Sequence, residues 1–204
     1  MNLTRSSALA LVLALPLMHA RAQVAPPSPA IVAGTSKETA APVSAAFVTA
    51  RDVTAAIGQL SAKFTDDEAI RVVGAGPNRL GIFVVGRPKK TGPAQMEPGG
   101  AVKVTEGLQL EQVSAIVRVL DGAGTIVTGG TLVNAERMPP DDPDAEVIGP
   151  GKRGKAILGG QSRRVSAGDM VIIPSGVPHG FSEIEGPITY LVIRVDTGRG
   201  LPLK

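Results

Sequence analysis

The sequence predicts an all-β domain preceded by one packing helix, and three features carry that reading. From Leu80 onward, short apolar and β-branched runs recur, each bounded by glycine, proline or aspartate, as strands joined by tight turns require. The glycine pairs Gly129-Gly130 and Gly159-Gly160 suit two-residue hairpin connections. Helical spacing is found instead in Val53, Ile57, Leu60 and Phe64, which recur at three and four residues and form one apolar stripe.

Residues 1–22 read as a signal peptide. Arg5 supplies the positive flank, Ala8 to Met18 the apolar run, and Ala20-Arg21-Ala22 the small residues read by a signal peptidase, which places cleavage before Gln23. The run is too short to span a bilayer comfortably, so no stable membrane anchor is expected after cleavage. The chain is therefore expected to be exported, to the periplasm or beyond. Residues 23–46, rich in Ala, Pro, Ser and Thr, have the composition of a disordered linker. Cysteine is absent, so neither disulfides nor thiolate metal sites are available and the fold rests on its core. A net charge of +3, dispersed, with aromatics at only 2%, offers neither a basic stripe nor stacking platforms. No nucleic-acid partner is expected on that ground.

Thr49 or Asp52 is placed to cap the helix, which is expected to run to about Phe64 and pack on the outside of a sheet. The segment 47–79 is thus a helix and its connection, with Asp66-Asp67-Glu68 a solvated loop or helix start. Leu80 to Val85 reads as the first strand, ended by Gly86-Arg87-Pro88. Val102 and Val104 alternate with polar neighbours, and Leu108 to Leu120 reads as one strand. Asp121-Gly122-Ala123-Gly124 then turns into Thr125 to Thr128. Residues 134–154 are polar and contain Pro139-Pro140-Asp141-Asp142-Pro143-Asp144, the composition of a solvated loop. Those aspartates lack the glycine and distal glutamate of a calcium loop. Lys155 to Leu158 and Gln161 to Val165 form a hairpin, Ile188 to Val195 the last strand, and 197–204 a polar tail.

Between them lies Gly168-Asp-Met-Val-Ile-Ile-Pro174-Ser-Gly176-Val-Pro-His179. Met170 to Ile173 reads as a short buried strand entering and leaving through sharp turns, and the turn after Pro174 is expected to deliver His179 to the start of the next strand. This spacing of glycine, proline, glycine and histidine resembles the second sequence motif of the cupin superfamily. The run "VLDGAGTIVTGGTLV" resembles the segment that closes the first cupin motif. The resemblance spans Leu80 to Asp196, and it implies a cupin-type double-stranded β-helix, a jelly-roll barrel, over 80–196. It also allows a homodimer.

In metal-dependent cupins that histidine is one of four ligands, the others being two histidines and a glutamate from the first motif. Counted back from Gly122, the glutamate position falls on Ala115 and the histidine positions on Gln109 and Glu111. A spacing longer by one residue moves the latter to Leu108 and Leu110. If 108–120 is one strand, Gln109, Glu111, Val113, Ala115, Val117 and Val119 share the inward face. Glu111 would then be buried, with Gln109 and His179 as its natural partners. His179 is the one histidine of the mature chain, since His19 lies in the signal peptide.

An imidazole, a carboxylate and an amide are a poor set for a transition metal. The expectation is an exported protein that binds a small organic ligand through Gln109, Glu111 and His179, with no cofactor and no assigned catalytic residue. The alternative is a metal-dependent oxygenase or isomerase holding a divalent metal on His179, Glu111 and Gln109. A third class, acid–base catalysis by His179 with Glu111, needs those two side chains close together.

Overall fold

Helix α1 (Ala50–Ile57) begins in a capping box that joins both residues singled out for the cap. The Thr49 hydroxyl accepts from the Asp52 backbone N–H at 3.3 Å, and the Asp52 carboxylate accepts from the Thr49 N–H at 2.8 Å. The computed structural model describes residues 44–61, 65–90 and 94–204. The signal peptide expected over 1–22, residues 23–43 of the expected linker and Phe64 of the helical stripe lie outside them. The helix ends at Ile57, earlier than expected, with Gly58 as its C-cap. It packs on β1 (Asp66–Ala75) and β2 (Asn78–Arg87), and Leu60 continues the stripe against Gly86.

The remaining elements, in order, are β3 (Val102–Leu110), β4 (Val113–Asp121), β5 (Ala123–Thr128), β6 (Thr131–Val133), β7 (Glu136–Arg137) and α2 (Pro143–Ile148). There follow β8 (Gly151–Leu158), β9 (Gln161–Ser166), β10 (Met170–Ile173), β11 (His179–Ile184) and β12 (Ile188–Asp196). Among the described residues they form two antiparallel sheets, one ordered β1-β2-β12-β4-β10 and the other β6-β8-β3-β11-β5-β9, with β7 beside β8. Their inner faces meet in one apolar core that includes Phe83, Val117, Ile126, Phe181, Ile188 and Val192. Each such side chain, fully buried, contributes about 1.5–3 kcal/mol.

Four expectations are corrected. The sheet begins at Asp66 rather than Leu80, because Asp66-Asp67-Glu68 opens β1, paired with β2 from Asp66↔Gly86 to Ala75↔Asn78. Its charge hid it, since Asp67 is turned toward the buried Arg194. Residues 108–120 are two strands. β3 belongs to one sheet and β4 to the other, and the chain bends between them at Glu111-Gln112. Two bend residues shift the alternation by one, so Leu108 and Leu110 are buried before the bend and Val113, Ala115, Val117 and Val119 after it.

The polar stretch 134–154 is folded. Asp142 caps α2 by accepting from the Asp144 N–H at 2.9 Å, Pro143 occupies the first turn, and Met138 and Ile148 are buried against Leu108, Leu110 and Val113. The tail 197–204 is tied down as well. Leu201 is fully buried, and Lys204 exchanges two backbone hydrogen bonds with Val72 on β1, at 3.1 and 3.2 Å.

Candidate functional site

A cavity of about 560 Å³ lies between the sheets. Strands supply its apolar walls through Val85, Leu108, Val117, Ile126 and Val192, and α2 lies across it with Val147 and Ile148. Its polar groups are Asp67, Arg87, Glu106, His179, Tyr190 and Arg194, with Asp66 and Asp144 also in the wall.

His179 reaches the cavity as the turn motif requires. Gly176 has a backbone φ of +79°, which only glycine adopts without cost. The turn it makes is held on the β3–β4 corner: its N–H donates to the Leu110 carbonyl at 2.6 Å, and the Gln109 side-chain amide donates to its carbonyl at 3.0 Å. His179 then opens β11 between Leu108 of β3 and Thr128 of β5. Its Nδ1 lies 3.0 Å from the Val177 carbonyl, which can only accept. Nδ1 therefore carries the proton and Nε2 keeps a lone pair. Burial pushes the imidazole below its usual range. The Arg87 and Arg194 guanidiniums push the same way, and the Val177 bond opposes them. The ring is neutral at pH 7.

Two arginines flank it, and they differ in how their hydrogen bonds are spent. The Arg194 side chain, 6% exposed, donates to both oxygens of Asp67 and, at 2.9 Å, to the Val147 carbonyl of α2. It also lies 4.1 Å over the Phe83 ring. It is a strut that ties β12 to β1 and α2. The Arg87 side chain, 9% exposed, donates from Nε to the Tyr190 hydroxyl at 2.7 Å. Its Nη2 is 3.6 Å from Glu106, too long for a hydrogen bond, and its Nη1 is buried with no partner among the described residues. Burial works against its charge, but Tyr190, Glu106 and Asp67 outweigh that and hold the guanidinium above its ordinary value.

Gln109 and Glu111 do not line the cavity. Gln109 braces the Gly176 turn, and Glu111, on the bend, accepts from Arg137 at 2.7 Å in a pair with 33% and 64% side-chain exposure. His179 is thus not brought together with either residue. The positions facing inward are Leu108, Leu110 and Ala115, those of the longer first-motif spacing. Three apolar side chains with one imidazole do not fit a cupin metal centre. Among the described residues no group of three or more His, Cys, Asp or Glu side chains is placed to hold a metal. Asp142 and Asp144 accept from Arg153 instead. The sequence reading did not single out Arg87, Glu106, Tyr190 or Arg194. One signal was present: charge at positions 87 and 194, at the ends of otherwise apolar strand runs.

The chain passes from one sheet to the other at the β3–β4 bend, and the glycine turn between β10 and β11 sets a histidine on the inner wall. The chain has the cupin fold. No family model and no curated protein matches the sequence. Among solved structures it is similar to the DMSP lyase DddQ from Ruegeria pomeroyi (17% identity, TM-score 0.37), over 67% of this chain and 50% of that one. The chain thus spans half the length of that protein. It is also similar to the Clostridium difficile EutQ protein (13% identity, TM-score 0.36), over 66% of this chain and 69% of that one. A third is BH2720 from Bacillus halodurans (14% identity, TM-score 0.38), over 76% of this chain and 85% of that one. In this chain His179 shares the cavity wall with two arginines, a tyrosine and aliphatic side chains.

Proposed function

We propose that this cupin is an exported protein that holds a small organic ligand in its barrel without a catalytic metal. One observation carries the reading: a cavity of about 560 Å³, within the range of roughly 300–1,000 Å³ usual for small-molecule sites, with aliphatic walls and a few convergent polar groups. Residues that would be ligands in a metal-dependent relative are here Leu108, Leu110 and Ala115. The export part rests on Arg5, the apolar run 8–18 and Ala20-Arg21-Ala22.

Native mass spectrometry of the protein purified from the cell envelope without chelator reads metal, organic ligand and subunit count together. The expected result is a chain beginning at Gln23, carrying an organic mass or empty, with substoichiometric iron, manganese, nickel, copper and zinc. Its melting temperature should be indifferent to chelator and should rise with added ligand. About one metal per chain, lost in His179→Ala, would overturn the metal-free reading and promote the oxygenase or isomerase alternative. Retention of Met1 in envelope material would overturn export.

A further inference from the structure

We infer that the ligand is a monocarboxylate with a compact apolar body, its carboxylate received by Arg87 beside Tyr190 and His179. The inference deepens the ligand-holding reading and rests on it. The charged groups of the cavity are matched asymmetrically.

Every carboxylate in the cavity wall already has a donor or a cation. Asp67 takes the Arg194 fork. Asp66 accepts from the backbone N–H groups of Ser61 and Asp67, at 2.9 and 3.1 Å. Asp144 accepts from Arg153, and Glu106 sits in ion-pair range of Arg153, at 3.3 Å, and of Arg87, at 3.6 Å. Arg87 is the reverse case. One of its terminal nitrogens is buried and has no acceptor among the described residues. An interior guanidinium with an unmatched N–H group lacks an oxygen, and a carboxylate supplies one in the geometry a guanidinium fork prefers.

The surroundings select for one negative charge. Arg87 and Arg194 are the cations that line this cavity with His179, and Arg87 is the one with a hydrogen-bonding position left over. Asp67 and Glu106 line the same cavity, paired with Arg194 and Arg87, and would oppose a second charge on the ligand. The lining also holds an aliphatic set, Val85, Val117, Ile126 and Val192. That surface accepts a hydrocarbon body and offers nothing to a sugar or nucleotide. The lone pair on His179 Nε2 accepts from a hydroxyl on the ligand, or takes a proton and joins Arg87 on the carboxylate.

The test is titration of the folded protein with hexanoate, hexanamide, hexanol and hexylammonium, which share one carbon skeleton, followed by calorimetry and thermal shift at neutral pH. Two variants accompany it: Arg87→Met, which keeps length and removes the charge, and Val117→Phe, which fills the cavity. Hexanoate should bind tightest and raise the melting temperature. Arg87→Met should weaken hexanoate by about tenfold or more while leaving hexanol unchanged, and Val117→Phe should weaken both. Should Arg87→Met fail to fold, the ranking of the four probes on the wild-type chain decides alone. Amide, alcohol or ammonium binding as tightly as hexanoate, and lost in Val117→Phe, would overturn the carboxylate inference and leave the ligand-holding cavity standing. Binding of no probe at all would overturn both.

Discussion

Asp67 and Glu111 each pair with an arginine, and depth separates their consequences. The Arg194 side chain is 6% exposed and depends on Asp67 for its counter-charge, so Asp67→Asn should cost about 3–5 kcal/mol by leaving a buried cation unmatched. The Glu111–Arg137 pair is open to water, so Glu111→Gln should change stability by less than about 1 kcal/mol. Urea denaturation of the two variants side by side measures the contrast. Gly176 is a different case. Its φ is +79°, yet a Cβ there would meet nothing within 4 Å. The penalty for a side chain is therefore backbone strain alone: Gly176→Val should cost about 1–3 kcal/mol and Gly176→Asn distinctly less. Equal losses would point to packing instead. His179 gives a pH signature. Its folded-state value lies below the unfolded one because burial and the flanking guanidiniums of Arg87 and Arg194 disfavour the charged ring. The unfolded chain then binds the extra proton. Stability should be fully present above about pH 6.5 and fall as pH drops below that toward the folded value. Denaturation at several pH values should show this slope in the wild type and lose it in His179→Gln.

The elements that position the site are short, and each is set by a few polar contacts. Helix α2 begins at a residue with two duties, since Asp142 caps the helix and accepts from Arg153 at 2.6 Å. Asp142→Ala should therefore cost about 0.5–2 kcal/mol from the cap alone. Because α2 lies across the cavity, the same change should speed proteolysis within 134–154 and weaken ligand binding, read by limited digestion and calorimetry on one preparation. The β3–β4 bend is the other decisive element. The apolar residues change parity across it, from Leu108 and Leu110 to Val113 and Ala115, with the polar pair Glu111-Gln112 between. That switch was legible in the residues, but strand propensity alone runs the two strands together. The same stretch moves from one sheet to the other, and a strand pattern carries no mark of which sheet it joins.

At the scale of the molecule, the sheet containing β1 ends in β10, which the sequence reads as buried but which lies at a sheet edge, with Met170 and Ile172 58% and 73% exposed and Ile173 buried. A sheet edge bearing apolar side chains invites pairing with another chain. Ile172→Lys should leave stability within about 0.5 kcal/mol of the wild type and reduce self-association in sedimentation at high concentration; a larger loss of stability would show the residue to be packed. By itself the sequence determined the barrel class, the placement of β10 and β11 about a glycine turn, the capping of α1 and the delivery of His179 to the inner wall. These follow from local chemistry: glycine at positive φ, proline ending a ladder, apolar runs of strand length. Only the tertiary structure decided that Gln109 and Glu111 turn away from the cavity, that Asp67 serves Arg194, that 134–154 folds over the barrel, and that Arg87 keeps an unmatched N–H in the interior. Each of these depends on which strands become neighbours. Arg87 and Glu106, or Asp67 and Arg194, meet only when distant segments are laid side by side, because the energy that selects a side chain's partner is set by depth and distance in space rather than by separation along the chain.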